Sequence, residues 1–173
     1  MAWAIDNSHS EIGFSVRHMM LSTARGVFDA FTGTVDFNEA TPVASTVDVT
    51  IDTSSINTRD EKRDGHLKSA DFFDVAQFPS ITFKSISVET TSATTGKLHG
   101  NLTIKGVTKS VVLDVEYLGQ AKSPWGTTSA GFSAKTSINR EDFGLVWNAT
   151  LETGGVLVGD KVTITIDLEV VKQ

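Results

Sequence analysis

Apolar side chains fall on every second residue along most of this chain, the pattern of strands with one buried and one solvated face. Between Glu11 and His18, the residues Ile12, Phe14, Val16 and His18 share one side, and Glu11, Gly13, Ser15 and Arg17 share the other. Thr46 to Asp52 alternates as cleanly, with Val47, Val49 and Ile51 set against Thr46, Asp48, Thr50 and Asp52. The run from Gly26 to Phe37 differs: Phe28 falls on one phase and Phe31, Val35 and Phe37 on the other, so a bulge or strong bend is expected around Gly33. Further strands are predicted at Ile81 and Phe83, at Leu98 to Ile104 and at Val111 to Tyr117, the last two joined by the short hairpin KGVTK. Ala130 to Ile138, Trp147 to Leu151 and Val162 to Val170 complete the series. Roughly eight or nine strands at this spacing define an all-β antiparallel sandwich or barrel, read as one domain over residues 1–173. Gly33, Gly100, Ala130, Ala134 and Ala149 lie in phase with the apolar faces. Small side chains there fit a tunnel lining, and equally fit relief of crowding in a tapering barrel.

The stretch from Thr58 to Pro79, TRDEKRDGHLKSADFFDVAQFP, breaks the alternation. Connections of this length without strand character are usually functional or disordered. Thr58 with Glu61 matches a capping box, which predicts a helix beginning at Arg59. Gly65 weakens its middle by about 1 kcal/mol relative to Ala, so the helix is expected to be short or broken. Leu67, Phe72 and Phe73 place apolar groups among charges of both signs, and Pro79 stops the segment before the next strand. The segment reads as a short helical lid, polar outside and apolar beneath.

Composition narrows the function classes. A net charge of −6 without any Lys/Arg cluster argues against nucleic acid and disfavours an anionic membrane surface. The absence of cysteine excludes disulfides, thiolate nucleophiles and Cys-ligated zinc. No stretch approaches the ~20 apolar residues of a spanning helix, so the protein is expected to be soluble. The start MAWAIDNSHSEIGF lacks the basic and apolar regions of a secretory signal. The chain as written is therefore expected to be cytoplasmic, or periplasmic or secreted if it is a processed form. No nucleophile elbow, zincin, P-loop or dinucleotide motif occurs, so no enzyme is expected. Two rivals stay open: a metal-dependent or acid-base enzyme built on His18, Asp64 and His66, and a β module that recognises proteins by its outer face.

The segments WAID, HSEIGFSVRHM, RGVFDAFTG, SINT, RDGHLKSADFFD, FPSITF, GNLTIKGVTKSV and INREDFG follow one another from Trp3 towards Val170. In this combination and order the chain resembles the YceI-like proteins. The resemblance implies an antiparallel, eight-stranded, lipocalin-like barrel with a helix closing one end and a long apolar tunnel. It also implies a polyisoprenoid or similar lipid as ligand (an isoprenoid pyrophosphate, a quinone-type molecule or a fatty-acid derivative) and a possible homodimer.

A tunnel for a long chain is physically reasonable. Burying a methylene gains ~0.8 kcal/mol while association costs ~4 to 15 kcal/mol, so about ten carbons break even and about twenty reach near-micromolar affinity. The arithmetic favours a long chain over a small hydrophobe, and with what the resemblance implies the expected ligand is a long isoprenoid (polyprenyl phosphate or quinone-like) or a long acyl chain, with no other cofactor. Phe14, Phe28, Phe31, Phe72, Phe73, Phe83, Phe132 and Trp147 are candidates for contact with it, with ordinary core packing as the rival role for each. His18, Asp64, His66 and Arg140 are candidates for its polar head, and Arg59 and Arg63 would join them if the lid faces inward. For His18 and His66 the alternative is a histidine that fixes the lid to the barrel.

Overall fold

The computed structural model describes residues 2–152 and 154–173. Its strands are β1 (Ala2–Ile5), β2 (Glu11–His18), β3 (Ser22–Phe28), β4 (Phe31–Asp36), β5 (Thr46–Asp52), β6 (Ile56–Asn57), β7 (Ser80–Thr90), β8 (Thr95–Ile104), β9 (Val107–Lys122), β10 (Thr128–Asn139) and β11 (Val158–Lys172). The one α-helix among the described residues, α1, covers Glu61–Lys68.

Pairing runs β1-β4-β5-β7-β8-β9-β10-β11, and β1 pairs again with β11. That last pairing closes an eight-stranded antiparallel barrel. Closure leaves no free edge in the ring, which removes the aggregation hazard of an open sheet. The seam is short, Trp3 opposite Lys172, Ala4 opposite Val171 and Ile5 opposite Val170. Beyond kinks at residues 6–10, 29–30 and 53–55, the short strands β2, β3 and β6 prolong the first three walls. β2 stays paired with β11, with Phe14 opposite Ile164, and β3 carries β6 at its outer side.

Three local expectations are corrected. The bend expected near Gly33 lies at residues 29–30, where the chain leaves β3 and starts β4; this is why Phe28 and Phe31 fall on opposite phases yet both face the core. Gly33 itself is needed because a Cβ there would strike the Asp48 carbonyl oxygen on β5. No strand forms over Trp147 to Leu151: residues 145–149 run irregularly along the barrel end, with one isolated bridge from Thr150 to Val156. The buried Arg140 organises that segment instead. The capping box also fails, because Arg59 turns through a left-handed φ of 63° and so separates Thr58 from the helix. Asp60 becomes the N-cap, its carboxylate accepting the Arg63 amide at 3.1 Å. The two-residue connection from β8 to β9, by contrast, is as expected. Lys105 and Gly106 both have positive φ, the geometry of a tight hairpin turn that matches strand twist.

Two apolar clusters occupy the interior. The larger surrounds Ile12, Phe28, Phe31, Ile51, Ile56, Phe72, Ile81, Leu102, Ile104, Phe143 and Leu145 at the lid end. The smaller gathers Trp3, Val35, Ala130 and Val170 beneath the closing seam, with Phe37, Tyr117 and Phe132 against them. Ile5 packs against both, yet together they do not fill the barrel.

Candidate functional site: an apolar cavity along the barrel

Between the clusters lies a cavity of about 680 Å³, within the range of about 300–1,000 Å³ usual for small-molecule sites. Its wall is overwhelmingly apolar and includes inward-facing residues from most of the barrel strands, among them Val47, Val49, Val88, Leu98, Val111, Val115, Ala134, Ile164, Ile166 and Leu168. Nearly all of these side chains are only half-buried, although they point to the inside. A filled sandwich core would bury them fully; here they border empty space.

The cavity reaches solvent-exposed residues at both ends. At one it meets Glu39 and the Ser92–Ala93–Thr94 hairpin, and at the lid end Arg17, His18 and Arg63. Aromatic groups narrow both approaches. Phe37 stacks with Tyr117 at 5.1 Å and edge-on with Phe132 at 5.0 Å. Burial in this cluster raises the Tyr117 hydroxyl above its ordinary pKa. At the lid end Phe28 meets Phe14 at 5.5 Å and the lid's Phe73 at 5.9 Å.

Of the small residues in phase with the apolar faces, Ala134 lines the cavity, whereas Gly100 serves a neighbour. A Cβ on Gly100 would occupy the ring position of Phe83 on β7, so the glycine lets that ring lie flat against the wall. Gly26 does the same for Phe14, and also admits the Thr58 methyl.

The lid is held by a polar knot. Thr58 is buried, and both its amide and its hydroxyl donate to one Asp64 oxygen, at 2.8 and 2.5 Å. Arg63 closes the knot, its Nε donating to the Thr58 hydroxyl at 2.9 Å and its other nitrogen to the Thr58 carbonyl at 2.8 Å. His66 bonds Asp71 through Nε2 at 2.8 Å and stacks edge-on against Trp147 at 4.6 Å, so its ring ties the lid to the irregular segment.

The structure therefore separates the candidates by occupation. Phe14, Phe28, Phe31, Phe72, Phe73, Phe83, Phe132 and Trp147 lie on the cavity wall, as do His18, His66 and Arg140. Asp64 does not; it is spent on Thr58. Arg140 is 3% exposed and donates to the carbonyls of Leu145, Trp147, Val158 and Gly159. Burial lowers its pKa, and Asp160 at 4.0 Å only partly offsets that. Among the described residues the His18 side chain has no hydrogen bond or ion pair. It is the one head-group candidate of the four left unengaged.

The proposed grouping of His18, Asp64 and His66 is not assembled as a metal or acid-base site, since Asp64 and His66 turn to different partners. Among the described residues the cluster with metal-like spacing is Asp6, His9 and Glu169, on the outer surface. There the Asp6 carboxylate raises the His9 pKa, and Ser8 and His9 lower that of Asp6. Sequence reasoning missed Phe37 and Tyr117. Both were readable, as continuations of the inward phases that begin at Phe31 and Val111.

A closed antiparallel barrel with an apolar bore and a helix across one end is a lipocalin-like fold. The family model described as YceI-like domain matches residues 3–170, and the chain belongs to the YceI-like family. A UPF0312 protein of Staphylococcus aureus is 42% identical over 170 residues, covering 96% of this chain and 95% of that one. A YceI protein of Campylobacter jejuni superposes with a TM-score of 0.79 at 34% identity, covering 91% of this chain and 90% of that chain. BcnA of Burkholderia cenocepacia shares the fold at a TM-score of 0.85 and 24% identity, covering 95% and 98%. A polyisoprenoid binding domain from Saccharophagus degradans has a TM-score of 0.66 at 16% identity, with 97% of each chain covered. No helix is long and apolar enough to cross a membrane among the described residues.

Proposed function

We propose that this protein binds one long-chain lipid, an isoprenoid or a long acyl chain, inside the barrel and carries or sequesters it without chemistry. The observation that carries the reading is the hollow bore: inward aliphatic side chains on strand after strand keep surface that a closed core would hide. Such surface is a standing driving force for an apolar guest, at ~0.8 kcal/mol per buried methylene. A similar fold in a polyisoprenoid binding domain supports the same ligand class. The unengaged His18 on the cavity wall, with Arg17 next to it in β2, supports the lid end for a polar or anionic head.

The test is native mass spectrometry of detergent-free protein, followed by a titration with prenols and fatty acids of increasing length. Affinity is expected to rise with chain length, roughly tenfold for each two further buried methylenes, and to level off once the bore is full. Lipid-free protein that takes up none of the series would refute the carrier reading.

A further inference from the structure

The turn between β2 and β3 is built from residues that suit neither the turn nor solvent. Met19 and Met20 both have positive φ, 52° and 60°, and the Leu21 amide closes the turn on the His18 carbonyl at 3.0 Å. Asn-Gly is the usual pair for this geometry, because bulky side chains tolerate positive φ poorly. Yet Met20 is 64% and Leu21 78% exposed, with Met19 at 37%. Val156, at 37%, is exposed on the segment that runs beside them. A Cβ on Gly155 would sit 3.4 Å from the Met20 sulfur, so Met20 lies over that glycine.

This apolar tip stands at the lid end of the bore. The cavity wall runs out to His18, Ala24 and Leu157, the residues from which the tip springs, and the Met19 amide is bonded to the Leu157 carbonyl at 2.8 Å. The charge is local as well. From Ile12 to Phe28 the hairpin carries Arg17, His18 and Arg25 and no acidic residue, in a chain whose net charge is −6. Arg17 is folded over the turn, its guanidinium on the Met20 carbonyl at 3.3 Å and on the Thr23 hydroxyl at 3.0 Å.

We infer that the β2–β3 tip is a membrane-contact device: Met19, Met20 and Leu21 enter the headgroup boundary of an anionic bilayer while Arg17 and Arg25 meet its phosphates, which sets the mouth of the bore against the lipid surface. A convex tip of three large side chains is far smaller than the roughly 800 Å² per partner of a stable protein interface. It suits shallow insertion, where a few apolar groups and a few cations act together. The overall negative charge disfavours anionic surfaces for the molecule as a whole, and Asp160 follows the Gly159 that lies against Arg17, so the contact relies on the three apolar side chains, with Arg17 and Arg25 acting on phosphates at short range. The purpose of the contact rests on the carrier reading; its test does not.

Flotation with vesicles of three parts phosphatidylcholine to one of phosphatidylglycerol is the measurement, with pure phosphatidylcholine vesicles alongside. The parent protein is expected to float with the mixed vesicles, less so with the neutral ones, and to be released by salt. Met20→Asp with Leu21→Asp is expected to weaken binding at least about tenfold. Met19→Asn with Met20→Gly fits the turn better, so it should melt no lower than the parent and still bind more weakly. Trp125→Asp, at the opposite end and 85% exposed, should bind as the parent does. A parent that ignores both vesicle types overturns the inference, and so do tip variants that float undiminished or a Trp125 variant that loses binding equally. Uptake of geranylgeraniol from a cyclodextrin complex reads the carrier function separately: tip variants that keep uptake while losing flotation support the inference, and loss of uptake with flotation intact refutes the carrier and leaves the contact standing.

Discussion

Arg140 shows how far a residue's phase along a strand can mislead about its task. In the sequence it follows Phe132 and Ile138 on the inward phase and looks available to a ligand. In the fold its guanidinium holds four backbone carbonyls of the irregular segment and of β11, at Leu145, Trp147, Val158 and Gly159. Buried carbonyls without donors are costly, and a charged donor to each is worth ~1.5–3 kcal/mol. Arg140→Lys keeps the charge and loses the planar fork. It is expected to lower stability by about 3 kcal/mol in urea unfolding, while the folded fraction binds lipid as tightly as the parent. A loss of affinity at unchanged stability would return Arg140 to the head-group site. The glycines carry the same lesson: Gly100 is in phase with the bore, but it is there for the Phe83 ring.

At the scale of the element, the lid is a weak helix strongly tethered. Eight residues with no buried member cannot hold a helix by themselves. The Thr58–Asp64–Arg63 knot and the rings of Phe72, Phe73 and His66 fix it across the barrel end. Asp64→Ala removes the acceptor of two Thr58 donors and leaves them buried, at a cost of about 1–3 kcal/mol. The expected result is lipid dissociation accelerated about tenfold or more with a modest fall in melting temperature, read by stopped-flow transfer of a fluorescent acyl chain to vesicles. Unchanged dissociation would mean that the ligand does not leave past the lid. The existence of the insert, its apolar residues and its short length were legible from its break with alternation. Its cap was not, because Thr58 and Asp60 are both good N-caps, and only the left-handed turn at Arg59, imposed by burying Thr58 against Gly26, selects between them.

At the scale of the whole molecule, closure rests on the first strand. Trp3 is buried in the seam, opposite Lys172 and Val35, with its indole N–H on the Phe37 carbonyl at 3.3 Å. Trp3→Ala is expected to cost about 3–5 kcal/mol in denaturant unfolding. Because the seam has only three residue pairs, lipid retention should fall with it. Retention that survives the substitution would show that the bore does not depend on the seam.

Alternation alone determined that this chain forms antiparallel strands, which side of each strand is apolar, and where one segment departs from the rule, because side-chain direction repeats every two residues whatever the partners. Whether those apolar sides meet or stand apart was decided only by the tertiary structure. The β1–β11 pairing curls the sheet into a ring, and at the diameter of eight strands the inner side chains stop short of one another, leaving a bore that no local pattern encodes. The engagement of Asp64 and His66 is local, with Thr58 and Asp71 a few residues away in the same insert, whereas Arg140 reaches the Val158 and Gly159 carbonyls only because β10 and β11 pair side by side.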